Sequence, residues 1–174
     1  ADLVRLKLKN DLSGVVEQRV VLTTTYAADT STQFGTTPQM GGKVRVGPDG
    51  FLYVAMGDFR SGAAAQSPTL LAGKVLRITA NGQPAPGNRN STGADRRIYV
   101  SGVRGPTGIS FQPNTEDLVL AQQGASSVSQ LSVVKAGANG GWNPSCPGGK
   151  QGYCESAGLL PVNWRPVIGW SAAE

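Results

Sequence analysis

Two copies of one hairpin pattern constrain this chain more than any other feature. The first runs Gly41-Gly42-Lys43-Val44-Arg45-Val46-Gly47-Pro48-Asp49-Gly50-Phe51-Leu52-Tyr53-Val54-Ala55-Met56-Gly57-Asp58, a strand, a Gly-Pro-Asp-Gly turn and a second strand closed by Gly-Asp. Pro48 presets φ for the first corner, and Gly50 can take the positive φ that a side chain resists. The second runs Gly108-Ile109-Ser110-Phe111-Gln112-Pro113-Asn114-Thr115-Glu116-Asp117-Leu118-Val119-Leu120-Ala121-Gln122-Gln123-Gly124, with Pro113 in the place of Pro48. A hairpin that recurs at long period, with further strands between its copies, predicts a radial all-β repeat: a β-propeller of four-stranded antiparallel blades.

The rest of the chain fills in that plan as a single domain over residues 1–174. Residues 3–22 alternate as Leu3-Val4-Arg5-Leu6-Lys7-Leu8, turn at Asn10 to Gly14 and return through Val15 to Leu22, which reads as the outer strands of one blade. Residues 43–102 supply a full blade, its third strand at Gly73 to Thr79 and its fourth at Arg97 to Ser101. Residues 108–136 begin the next blade, and 143–174 read as an irregular loop or tail. A closed propeller needs at least about four blades. The segment is therefore expected to be a partial propeller, about two to three blades, that needs the remaining ones.

Charge and residue types narrow the chemistry. The net charge is +5, but the basic residues are dispersed, with Arg96-Arg97 the one adjacent pair. Neither a basic helix nor an aromatic-interleaved basic strip is present, which argues against nucleic acid as a partner. No apolar run is long enough to cross a bilayer as a helix, and the first residues lack the form of a signal peptide, so no membrane is expected. The chain contains no histidine, which removes Ser-His-Asp, Cys-His and His-ligated zinc chemistry from this segment. Phosphate-binding glycine motifs in a strand-to-helix setting are also missing.

Cys146 and Cys154 bracket Pro-Gly-Gly-Lys-Gln-Gly-Tyr, a turn-rich loop suited to bringing them within disulfide reach, with no further metal ligands beside them. A disulfide there implies an oxidising compartment: extracellular or secreted, or periplasmic in a bacterium. Asn90-Ser91-Thr92 fits an N-glycosylation acceptor in a polar loop, whereas proline blocks Asn143-Pro144-Ser145. Asp58 closes a strand and can cap the next loop or bind a metal; Trp142, after Asn-Gly-Gly, can cover a blade end or face a sugar.

Four stretches in order carry a resemblance: the first hairpin, Ala-Gly-Lys-Val-Leu-Arg-Ile, Arg-Ile-Tyr-Val-Ser-Gly-Val-Arg-Gly-Pro-Thr-Gly-Ile-Ser-Phe, and Lys-Ala-Gly-Ala-Asn-Gly-Gly-Trp. The chain resembles the glucose/sorbosone dehydrogenase family, soluble quinoprotein aldose dehydrogenases to which the Hedgehog-interacting-protein-like proteins are related. The resemblance implies a six-bladed β-propeller of which this is a middle portion, oxidation of an aldose hydroxyl, and pyrroloquinoline quinone (PQQ) and calcium as cofactors. Gln39 matches the family's general-base histidine and adjoins the cofactor; an amide cannot take up a hydroxyl proton near neutral pH. Arg104 matches the arginine that contacts the quinone, while Gly105 stands where its partner asparagine is expected. Backbone carbonyls of Gly124 and Ala125 match the calcium loop, but Val128-Ser129-Gln130 replaces the acidic residues that usually follow.

Two functions follow as expectations. One is a segment of a quinoprotein sugar dehydrogenase, weak or inactive because its base is replaced. The alternative is a non-catalytic secreted propeller, a pseudoenzyme whose rim binds carbohydrate or a protein partner.

Overall fold

The computed structural model describes residues 2–24, 40–59, 61–88, 92–123, 128–142 and 164–171. Among them, the chain is built almost wholly of strands in three sheets, part of a β-propeller. β1 (Asp2–Leu8) and β2 (Val15–Thr23) form an antiparallel pair. A five-stranded sheet contains β3 (Gly41–Val46), β4 (Leu52–Met56), β5 (Lys74–Ile78) and β6 (Ile98–Ser101), each antiparallel to the next. A four-stranded antiparallel sheet contains β7 (Gly105–Phe111), β8 (Leu118–Gln123), β9 (Val128–Val134) and β11 (Trp164–Ser171). The short β10 (Ala138–Asn139) crosses back from the second blade to pair parallel with β6. No helix among the described residues is long and apolar enough to cross a membrane.

The turn of the first hairpin closes as its residues dictate. Gly50 sits at φ +77° and donates to the Gly47 carbonyl at 2.9 Å, while the Asp49 side chain accepts from Phe51 N–H at 3.1 Å. Asp49 Oδ2 also accepts from Arg77 Nε at 2.7 Å and Tyr53 Oη at 2.9 Å, tying the turn to β5. Burial raises the Asp49 carboxyl, but the hydrogen bond from Phe51 N–H, the Arg77 guanidinium and the Tyr53 hydroxyl together hold it below its ordinary range. In the second copy, Asn114 and Glu116 take positive φ (71° and 59°). That turn thus uses side-chain-bearing residues where the first uses glycine.

The inner strands β4 and β5 are buried on both faces, which explains why β4 reads Leu-Tyr-Val-Ala-Met with no polar alternation. Tyr53, Ala55, Val75 and Val100 pack toward Ile109, Leu118, Leu120 and Val134 of the neighbouring sheet. On the other face Val54, Met56, Leu76 and Ile78 pack with Leu22 of β2, with Leu3 against the cluster. Burying one such Leu or Ile stabilises the fold by about 1.5–3 kcal/mol. The far side of the β1–β2 hairpin leaves Leu6, Leu8, Val16 and Val20 exposed.

One part of the chain departs from what periodicity suggests. Residues 143–174, expected to be an irregular tail, include β11, which supplies the edge of the second blade. Among the described residues the one helix, α1 (Gly62–Gln66), is a single short turn over the alanines, and it enters the core through Ala64 and Ala65.

Gly73 joins α1 to β5 at φ +67°, and a Cβ there would lie 2.6 Å from Ala65 Cα and 2.8 Å from the Val103 carbonyl. Gly73→Ala is expected to lower stability by about 2–3 kcal/mol through overpacking and backbone strain, read from the denaturant midpoint. A variant as stable as the parent would contradict the close approach.

Candidate functional site

The candidate site forms where strands end. β4 runs out at Met56 into Gly57-Asp58, β6 runs out at Ser101 into Gly102-Val103-Arg104, and β10 leads into Gly140-Gly141-Trp142. Three contacts join these ends into one circuit. Asp58 N–H donates to the Arg104 carbonyl at 2.9 Å. Trp142 Nε1–H donates to Asp58 Oδ2 at 2.7 Å. The Arg104 guanidinium carbon stands 5.2 Å from the centre of the Trp142 ring, a cation–π distance. All three residues are buried, at 3%, 6% and 1% exposure for Asp58, Arg104 and Trp142. In so dry a setting, charge-assisted hydrogen bonds and the stacked cation are stronger than at a surface.

Glycines let the circuit close. Gly102, at φ +69°, accepts Trp142 N–H at its carbonyl (3.3 Å), and a Cβ there would collide with the Asn139 side-chain oxygen. Gly41, at φ +71°, leaves room for Pro106, whose Cγ would stand 2.8 Å from an added Cβ. Gln122 of β8, 1% exposed, accepts Arg104 N–H at Oε1 (3.2 Å).

The sequence-selected residues fall as follows. Arg104 is in the circuit, and Gly105 follows it as the first residue of β7, buried and paired with Gln123. Gln39, Gly124, Ala125, Asn90, Cys146 and Cys154 lie outside the described residues. Their described neighbours give the local geography: the Met40 carbonyl accepts Gly57 N–H at 3.0 Å, and Gln123 ends β8 opposite Gly105. The backbone next to Gln39 and the backbone next to Gly124 thus reach the same end of the sheets as Arg104.

Asp58 and Trp142 are each more than a cap or a cover, because each orients another member of the site. Two further residues escaped the sequence altogether. Gln66 Nε2 donates to the Trp142 carbonyl at 2.8 Å and to Asn139 Oδ1 at 3.1 Å, with Asn139 Nδ2 returning a bond at 2.8 Å. Lys74 is fully buried, and Nζ donates to the carbonyls of Ala64, Ala65 and Ala72 at 2.6, 2.9 and 3.0 Å. Burial pushes Lys74 down to about 7, although the carbonyls it faces favour the ammonium. One signal was available: Lys74 opens the central strand of a sheet whose two faces are both apolar, so a solvated position was never open to it.

Comparison with known proteins adds an independent line. The sequence profile of the glucose/sorbosone dehydrogenase family matches residues 1–156. The chain is 30% identical over 152 residues to quinoprotein glucose dehydrogenase B of Acinetobacter calcoaceticus, covering 76% of this chain and 30% of that protein. It is 29% identical over 138 residues to aldose sugar dehydrogenase YliI of Escherichia coli K12, covering 78% of this chain and 36% of the relative. Among solved structures, the PQQ-bound aldose sugar dehydrogenase of Streptomyces coelicolor superposes with a TM-score of 0.69 at 26% identity, over 97% of this chain and 45% of that one. The chain therefore spans about a third of the length of the two curated relatives.

The Lys74 environment makes a pH-dependent prediction. The unfolded chain holds the ammonium proton up to the ordinary lysine range, whereas the folded chain sheds it near 7, so this residue's contribution to stability rises with pH between the two values. The stability difference between the parent and Lys74→Met is expected to shift in the parent's favour as pH is raised from about 7 toward 10, measured by denaturant unfolding. A difference that does not change with pH over that window would contradict it.

Proposed function

Since this chain belongs to the glucose/sorbosone dehydrogenase family, we propose that it forms part of a quinoprotein-like sugar dehydrogenase whose cofactor pocket is built around Arg104. The observation that carries the proposal is the Arg104–Trp142 stack held by Asp58 at one end of the sheets. A guanidinium with a planar fork of donors, steadied on an indole face, suits a flat aromatic anion bearing carboxylates, which is the character of PQQ. The residues fit that group in part. Arg104 would bind its anionic edge, Trp142 would fix the direction of the guanidinium, and Gly105 would allow the backbone close approach. When bound, the quinone supplies a hydride acceptor. A sugar hydroxyl losing hydride must also lose a proton, and that proton needs a base.

The base is where this chain falls short. Gln39 stands at the general-base position, and an amide has no useful basicity near neutral pH. Calcium has less support than the quinone. Its proposed ligands are the Gly124 and Ala125 carbonyls, and the sequence that follows, Val128-Ser129-Gln130, offers no carboxylate to a hard cation. The activity proposed for the complete protein is therefore weak sugar oxidation. A second reading, a non-catalytic secreted module whose rim binds carbohydrate or a protein, is favoured by the lack of any histidine in the chain. The extracellular or periplasmic location and the Cys146–Cys154 disulfide belong to the same proposal.

Dye-linked aldose oxidation by the complete protein, supplied with PQQ and calcium, tests it. A positioned general base contributes about 10²–10⁴-fold, so Gln39→His is expected to raise turnover by at least about tenfold over the parent. Equal turnover in the two proteins would refute the pocket, and no turnover in either, alongside retained glycan or partner binding, would favour the binding module.

A further inference from the structure

Lys74 has no part in ligand contact as described above, yet its ammonium is connected to both halves of the Arg104–Trp142 stack. The three carbonyls it faces match the three N–H donors it carries when protonated, and the neutral amine keeps two of them. Two of them, on Ala64 and Ala65, belong to α1; the Ala64 carbonyl also accepts the N–H of the C-cap residue Ser67 at 3.1 Å. The Ala65 carbonyl accepts a second hydrogen bond, from Gly102 N–H at 2.9 Å, just ahead of Arg104. The next residue, Gln66, holds the Trp142 carbonyl and the Asn139 amide. On the third side, Ala72 leads into Gly73, whose carbonyl accepts Val103 N–H at 3.0 Å, again adjoining Arg104.

Packing alone does not do this holding. A cavity of about 230 Å³ opens beside the clamp, lined by Gln66, Lys74, Tyr99, Ser101 and Asn139 among others. It is not itself a convincing ligand site, because the Gln66 and Asn139 amides and the Lys74 ammonium already spend their hydrogen bonds on protein partners. Its effect is to leave the end of α1 at Gln66 dependent on hydrogen bonds, while Ala64 and Ala65 pack in the core.

We propose that Lys74 is a positioning residue: by pinning the carbonyls of Ala64, Ala65 and Ala72 it fixes both Arg104 and Trp142 in the stack that faces the ligand. The role deepens the reading of Arg104 as the cofactor-binding cation and rests on it for its functional meaning. Its physical content, a clamp that governs the Trp142–Asp58 hydrogen bond, can be measured with no ligand present.

The experiment follows the Trp142 indole N–H by ¹H–¹⁵N NMR in the complete protein carrying ¹⁵N-labelled tryptophan, the signal being assigned by its loss in Trp142→Phe. In Lys74→Met, which keeps most of the side-chain length and removes all three donors, that signal is expected to move upfield or split, while far-UV circular dichroism and the Val100 methyl signals stay as in the parent. Lys74→Arg, which retains donors, is expected to restore the signal toward its parent position. Lys74→Gln, with two N–H donors on a shorter reach, takes the place of Lys74→Met if the latter does not fold, and a displaced signal is expected there too. An indole signal unmoved in a folded Met or Gln variant overturns the proposal. Loss of quinone binding by the parent would instead count against the cofactor reading and leave this result standing.

Discussion

The hydrogen bond from Asp58 N–H to the Arg104 carbonyl is the joint on which the site depends. It fastens the end of β4 to the residue just ahead of β7, and so fastens one blade to the next. Sheets packed face to face can slide, since apolar contact has no direction. A backbone hydrogen bond in a water-poor setting fixes register, and breaking it would leave a buried donor and acceptor at a cost of about 1–3 kcal/mol each. Trp142 then locks the joint from a third strand end, through Asp58 Oδ2 on one side and the Arg104 guanidinium on the other.

Much of this architecture was legible in the sequence because two strong local signals agreed. Gly47-Pro48-Asp49-Gly50 fixes a turn, and the apolar runs on either side fix strands, so the first blade could be drawn from Val44 to Ser101. The β11 strand could not, since Trp164 to Ser171 contains Pro166 and Gly169, residues that argue against a strand; β11 lies at the edge of its sheet, where Pro is tolerated and where its pairing with β9 shifts register just after Pro166. The parallel pairing of β10 with β6 was equally hidden, being only two residues long and decided by Gly102 and the Asn139 side chain.

The site was legible by residue type and opaque by partnership. Arg104 could be singled out through the family resemblance, yet nothing local to it predicts a tryptophan stacked on it from a distant loop. Asp58 looked like a turn former because Gly-Asp after a strand commonly is one; its acceptor role depends on where Trp142 arrives. Lys74 was passed over for a physical reason. Lysines in alternating strands are usually solvated, and only the double-sided burial of β5 turns this one inward toward the carbonyls of α1.

The central claim is that Arg104, steadied by Trp142, is the cation that receives an anionic quinone. Calorimetric titration of PQQ into the complete protein and into Arg104→Ala tests it most directly. A hydrogen-bonded charge of this kind is worth about 1.5–3 kcal/mol, so the account predicts saturable binding by the parent and an affinity roughly tenfold to a hundredfold weaker in the variant. Equal affinity in the two proteins, or no binding by the parent, would contradict it.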